Sequence, residues 1–343
     1  MSNQNKPVRI GIVGCGAVVR EMHLAALVQC PNVEVTYLCD RVESFRTIAK
    51  QEYGLDSAKM TADYQDFKGE VDAAIVAVPP KFHCPVTCDL LDMGIHVLCE
   101  KPIAMTTAEA QQMMVAAKKN DRILTVGFMT RYMRSARMFA EIVRDPLIGE
   151  IQEVIAESGT KMGWTMTSDA YYNKAMTIGG TFYDSGIHVI DRVLWQFGEL
   201  DEVDYEDDSY GGVETNAVLR GKLTIDGRKV PCRMAFSWTH LLSNAITVIG
   251  SAGTLEVSLR GDDLLFVTRT VNGKPVRFKV EFEGATPNPT HSQALEFVAA
   301  IRENRQPFIT AESATRPLTL IEKAYSVRTP MVQPWVEAEG PLN

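Results

Sequence analysis

A chain of 343 residues is long enough for two compact domains, because single cores stop growing below that size. Its 45% hydrophobic and 23% charged residues are those of an ordinary soluble globular protein. The net charge of −8, from 35 Lys+Arg against 43 Asp+Glu, offers no basic face to nucleic acid or anionic lipid, so small neutral or cationic partners are expected. The start, Met1 to Pro7, lacks the apolar core of a secretory signal, and no apolar stretch approaches the length of a membrane span; a cytoplasmic protein is expected. Seven cysteines, six of them up to Cys99, read as reduced thiols in a chain too large to need staples. His83, Cys84, Cys88, His96 and Cys99 do not make a metal set. Cys84 and Cys88 fall in a helical pattern, Cys99 ends a strand, and no CxxC pair exists, so no metal is expected.

The first ~125 residues alternate strand and helix patterns. Val8–Val13 is strand-like, His23–Gln29 helical, Val33–Leu38 strand-like and Ser44–Tyr53 helical. Ala73–Val78 is a continuous apolar run stopped by Pro79-Pro80, as a fully buried parallel strand would be. A helix over Val86–Met93, a strand ending at Cys99-Glu100-Lys101-Pro102, a helix over Thr107–Lys119 capped by Thr106 and a strand over Ile123–Val126 complete the pattern. This is α/β: a doubly wound parallel sheet over residues 1–127.

After Gly127 the texture changes. A helix over Ser135–Val143 precedes a strand over Ile151–Ser158, an aromatic and polar loop to Ile178 and a helix over Thr181–Gln196. Six β-type runs then follow between Thr215 and Phe282, with Asp226-Gly227 and Asn272-Gly273 marking hairpin turns. Helices over Ser292–Glu303 and Thr315–Val327 close the pattern, and the acidic run Glu199–Asp208 reads as a solvated loop. Residues 128–343 thus form an α+β domain with a large open, mostly antiparallel sheet. With few helices to cover that sheet, one face is expected to meet another subunit, giving a homodimer or homotetramer.

Three stretches carry chemistry. In Gly11-Ile12-Val13-Gly14-Cys15-Gly16-Ala17-Val18-Val19, Gly14 and Gly16 let the backbone turn tightly toward a pyrophosphate, which the following helix would meet with its amino end. Val19 stands where the dinucleotide fingerprint has its third glycine. Asp40 ends the second strand, where a carboxylate takes the ribose hydroxyls and repels a 2′-phosphate, while Arg41 beside it could hold that phosphate; NAD is favoured and NADP remains open. The second stretch, Glu100-Lys101-Pro102, sets an ammonium on the carboxyl edge of the sheet, where open α/β sheets bind ligands. The third runs from Gly179 to Asp191: Asp184, His188 and Asp191 share one face of a helix, so a carboxylate next to a histidine can fix its tautomer for proton transfer to an alcohol.

Gly14-Cys15-Gly16, Glu100-Lys101-Pro102 and Gly180 to His188, in that order, resemble the glucose-fructose oxidoreductase, inositol dehydrogenase and MocA family (Gfo/Idh/MocA) from about Val8 to Tyr325. The resemblance implies a Rossmann domain, a C-terminal domain on an open sheet that mediates oligomerisation, and reversible hydride transfer between a nicotinamide and a secondary alcohol of a sugar or cyclitol. By motif position it implies Lys101, Asp184 and His188 as the catalytic set. It implies Gly14, Gly16, Ala17, Val18, Asp40, Arg41, Pro79, Pro80, His83 and Glu100 around the cofactor. An NAD-retaining glycosidase of the same family would keep every motif. Arg131, Trp164 and Tyr172 lie in loops leading toward the catalytic helix and are candidates for binding hydroxyls or stacking on a sugar face. Ile178 stands in place of the first of three family glycines.

Overall fold

The computed structural model describes residues 6–161, 172–261 and 263–332. The first sheet has six parallel strands in the order β3-β2-β1-β4-β5-β6: β1 (Val8–Val13), β2 (Val33–Cys39), β3 (Lys59–Thr61), β4 (Ala73–Val76), β5 (His96–Cys99) and β6 (Leu124–Val126). Every residue of β4 is buried, which is why that run is apolar without alternation. The strand order reverses between β1 and β4, so the crevice beyond their carboxyl ends is the ligand position of a doubly wound sheet. The helix after the glycine turn begins earlier than the apolar pattern indicates: a π-helical turn over Val19–Leu24 passes into Ala25–Leu27.

The second sheet has nine strands, in the order β14-β13-β12-β11-β7-β10-β9-β8-β15. These are β7 (Ile151–Gly159), β8 (Leu200–Asp207), β9 (Asn216–Ile225), β10 (Arg228–Ser237), β11 (Ala245–Gly250), β12 (Gly253–Ser258), β13 (Leu265–Val271), β14 (Lys274–Lys279) and β15 (Arg328–Pro330). Pairing is antiparallel except β7 with β10 and β8 with β15. Asp226 and Asn272 hold positive φ (48° and 50°) at the two hairpin turns, as type I′ geometry requires. One face, carrying Val154, Ala156, Leu219, Met234 and Val248, packs on Ile190 and Val193 of the Gly186–Phe197 helix.

Two readings of the sequence are corrected here. The acidic run is strand β8, not a loop: it alternates, with Leu200, Tyr205 and Asp207 buried, and its outward acids meet bases on β9 and β10 (Arg220 to Asp204 and Glu206, Lys222 to Glu202, Lys229 to Asp201). The helix expected over Thr181–Gln196 is two, Thr181–Asp184 and Gly186–Phe197.

The last helices join the two sheets. Pro289–Glu303 sets Phe297 and Val298 among Val8, Val19 and Leu24 of the first unit, and Gln293 Nε2 donates to Val126 O at 3.0 Å. Ala311–Ser326 presents Glu322, whose Oε1 accepts from Thr107 N at 2.9 Å. Among the described residues no helix is long and apolar enough to cross a membrane.

Candidate active site

The glycine turn is built so that nothing but hydrogen fits at its apex. Gly14 has φ 92°, and a Cβ there would lie 2.2 Å from Ala77 O at the end of β4. Gly14 N donates to Cys39 O at 2.8 Å, and Cys15 N donates to Asp40 Oδ2 at 2.8 Å. Asp40 Oδ1 also accepts from Val42 N at 2.8 Å, so the carboxylate at the end of β2 is fixed against the turn. Val19 is fully buried with Ile10, Ile12 and Leu24, and it also lines the cleft described next; a side chain replaces the close helix–strand approach a third glycine allows. The Cys15 and Cys39 thiols are pushed up to about 12 by burial, then by the Asp40 charge, and stay protonated.

A cleft of about 800 Å³ opens above this turn. Gly14, Gly16, Ala17, Val18, Asp40, Arg41, Pro79, Pro80, His83 and Glu100 all line it, and so do Lys101 and Asp184. Phe45, Tyr64 and Gln65 line it as well. Sequence reasoning missed those three, because they reach the cleft from the helix after β2 and the turn after β3, where no motif marks them. The donor set fits a nicotinamide dinucleotide: a turn with room for a pyrophosphate, a helix amino end beyond it, and a carboxylate at the ribose position.

At the other end of the cleft, β5 delivers Glu100 and Lys101. Glu100 Oε1 lies 2.7 Å from Nε2 of the buried His23, and Oε2 accepts from Lys101 N at 3.0 Å. Burial pushes the Glu100 carboxyl up, but His23 and Lys101 outweigh it and hold it below its ordinary value, so it is ionised. Both ring nitrogens of His83 meet carbonyl oxygens, Pro102 O at 2.6 Å and Val78 O at 2.8 Å, tying the Lys101-Pro102 segment to the end of β4. Lys101 Nζ donates to Asp184 Oδ1 at 2.8 Å and to Asp184 O at 3.0 Å.

The carboxylate that the helical spacing offers to His188 is therefore engaged by Lys101 instead. His188 stands edge-on to Phe128 with ring centroids 5.8 Å apart, and its buried Nδ1 has no hydrogen-bond partner among the described residues. Burial first, and then the Lys101 ammonium, bring its pKa down to about 3, so the imidazole is neutral.

The loop candidates behave differently. Arg131 does not line the cleft: it is 3% exposed and grips Asp191, itself 0% exposed, with Nε to Oδ2 at 2.8 Å and Nη2 to Oδ1 at 2.5 Å. The third acid or base on the helix face, Asp191, thus serves a buried ion pair. Tyr172 is exposed and edge-on to Trp238 at 6.4 Å, beyond the cleft lining. Trp164 lies outside the described residues.

Comparison with known proteins agrees with this architecture. Residues 8–128 match the family model described as oxidoreductase family, NAD-binding Rossmann fold, and residues 136–256 match the GFO/IDH/MocA C-terminal domain. The chain is similar to D-glucoside 3-dehydrogenase of Escherichia coli, 30% identical over 199 residues that cover 57% of this chain and 55% of that protein. It is also similar to inositol 2-dehydrogenase of Salmonella typhimurium, 30% identical over 196 residues, 56% of this chain and 55% of that one. The match thus spans about half the length of these curated relatives. In fold it resembles KijD10, a 3-ketoreductase of Actinomadura kijaniata solved with NADP and TDP-benzene: the TM-score is 0.82 at 20% identity, covering 96% of this chain and 100% of that chain.

Proposed function

Because this chain belongs to the Gfo/Idh/MocA family of oxidoreductases, we propose that it transfers hydride reversibly between NAD and a secondary alcohol of a sugar, sugar derivative or cyclitol. One observation carries the reading: Lys101 and Asp184, hydrogen-bonded to each other, line the same cleft as the Gly14 turn and Asp40, and the buried His188 beside that cleft feels the charges of both. The relatives acting on glucosides and inositol support the substrate class.

Gly14, Gly16, Ala17 and Val18 would take the pyrophosphate and Asp40 the adenosine ribose; Pro79, Pro80, His83 and Glu100 would flank the nicotinamide end. The nicotinamide supplies the hydride acceptor and donor. The side chains handle the proton and the oxygen. His188 is the candidate to accept the hydroxyl proton in oxidation and return it in reduction, the role its motif position implies. The Lys101 ammonium hydrogen-bonds the developing alkoxide, where a charge is worth more in a closed site than in water. Asp184 aims that ammonium through its Oδ1 and its carbonyl oxygen.

Tyr172, and Trp164 from the neighbouring stretch, remain our candidates for stacking on a sugar ring. Free thiols at all seven cysteines suit a reducing compartment such as the cytoplasm. The outer face of the second sheet carries the half-exposed Ile155, Val218, Ile249 and Phe266, and we assign it to a homodimer or homotetramer contact. We divide the chain after Gly127, with 1–127 binding cofactor and 128–343 substrate.

The deciding experiment is a panel of sugars, sugar phosphates, nucleotide sugars and inositols, followed at the NADH absorbance with both cofactors. Net NADH or NADPH formation with a free polyol is expected. Cleavage of a glycoside without net reduced cofactor would replace this reading with the NAD-retaining glycosidase.

A further inference from the structure

Lys101 is held by Asp184, but what holds Asp184 lies far away in sequence. The Thr181–Asp184 turn starts at Gly180, and Gly180 N and Phe182 N both donate to Glu214 Oε1, at 2.8 and 3.0 Å. Thr181 N donates to the Glu214 backbone oxygen at 2.9 Å. Glu214 is 2% exposed, and the same Oε1 accepts from Tyr325 Oη of the last helix at 3.0 Å. The fit leaves no slack: a Cβ on Gly180 would lie 2.0 Å from Glu214 O, and one on Gly179 would lie 1.9 Å from Tyr325 Oη.

A buried carboxylate is costly unless donors surround it, and three donors on one oxygen fix the direction in which each peptide points. From that anchor Asp184 N reaches back to Gly180 O at 2.8 Å, and the Asp184 carboxylate and carbonyl take Lys101 Nζ. The other side of the turn is pinned by Tyr183 Oη on Ala104 O at 3.0 Å. The line Tyr325, Glu214, Gly180, Asp184, Lys101 is continuous.

We propose that Glu214, braced by Tyr325, is a positioning residue for Lys101: it fixes the 180–184 turn so that both Asp184 oxygens meet the ammonium. The proposal rests on the hydride-transfer reading for its kinetic consequence and on geometry alone for the rest. Without the anchor the turn relaxes, Lys101 loses acceptors, and its ammonium gives up a proton at lower pH. Among the described residues, the charged and titratable groups coupled to it include, besides Asp184, Glu100, His83 and His188, and the substitutions below touch none of these.

The test uses the full chain with Tyr325→Phe, which removes one hydroxyl, and Glu214→Gln, which keeps an acceptor but not its charge. Two readouts are taken. Steady-state kinetics on the substrate found in the panel should give a kcat lower by roughly ten- to a hundredfold with KM for NAD unchanged, the scale expected when a catalytic group is misplaced by about an ångström. The pH dependence of Lys101 acylation, followed by mass spectrometry on the free protein, should move to lower pH in both variants. If Glu214→Gln does not fold, Tyr325→Phe decides alone. Variants that melt earlier but acylate Lys101 with the wild-type pH dependence would reduce Glu214 to a stabilising role and overturn the proposal. Should wild type oxidise nothing in the panel, the function falls while the acylation readout still decides the positioning.

Discussion

Arg131 is where the sequence expectation and the structure diverge most, and a stability experiment separates them. Its guanidinium and the Asp191 carboxylate are both out of water and doubly hydrogen-bonded, so removing either partner strands a charge, at a cost of about 3 to 5 kcal/mol. The two losses are unequal. Asp191 is followed by Arg192, whose guanidinium is fully buried with no hydrogen-bond partner among the described residues on any of its three nitrogens and whose pKa burial lowers to about 10. Arg131→Met leaves the Asp191 carboxylate still opposed by Arg192 and, more weakly, by Arg316; Asp191→Asn leaves Arg131 and Arg192 without their carboxylate. We therefore expect about 3 kcal/mol for Arg131→Met and about 5 kcal/mol for Asp191→Asn, read from urea midpoints at constant slope. Kinetic constants of the soluble Arg131→Met protein should stay near wild type. An Arg131→Met variant of normal stability whose substrate KM rises tenfold or more would refute the buried-pair account and return Arg131 to the cleft.

Four further outcomes are expected. Asp40→Ala should weaken NAD far more than NADP in a fluorescence titration, because Asp40 faces the ribose position; equal wild-type use of both cofactors would hand the choice to Arg41. His188→Asn should keep NAD affinity and lose roughly 10² to 10⁴ in turnover, with Lys101→Ala comparable; a His188 variant that turns over normally would move the proton to Lys101. Burial, then Arg122, lowers His96 to about 4, and Ile123 N donates to its Nδ1 at 3.0 Å, which needs the neutral ring. The unfolded chain takes that proton first, so this stabilisation is present above about pH 6.5 and fades toward pH 4; His96→Asn should flatten the acid limb of a stability–pH curve by about 1–2 kcal/mol, allowing for the ring's partial exposure. Light scattering at micromolar concentration should give a dimer or tetramer, and a monomer would free the outer sheet face.

Much of this protein is local and could be read from residue order. Alternating apolar runs, the Thr106 cap, which accepts from Glu109 N at 3.1 Å, and the Asp226-Gly227 and Asn272-Gly273 turns are decided within a few residues, because propensity, capping and turn chemistry act over that range. So is the first unit's ligand edge, since a glycine turn after β1, Asp40 after β2 and Glu100-Lys101 after β5 each follow a strand whose order a doubly wound sheet prescribes. Partnership was not legible. The acids of β8 look solvated until β9 and β10 bring Arg220, Lys222 and Lys229 alongside them. Asp184 is four residues from His188, yet its carboxylate belongs to Lys101, 83 residues away. Arg131 reads as a loop candidate for substrate hydroxyls until Asp191 takes it into a buried pair, and nothing near Glu214 or Tyr325 suggests that they meet at Gly180. Spacing along a chain tells which side chains share a face. Only the packed molecule decides which charge is taken out of water and what must stand opposite it, because the desolvation that makes such a pair obligatory exists only after the distant segments have closed around it.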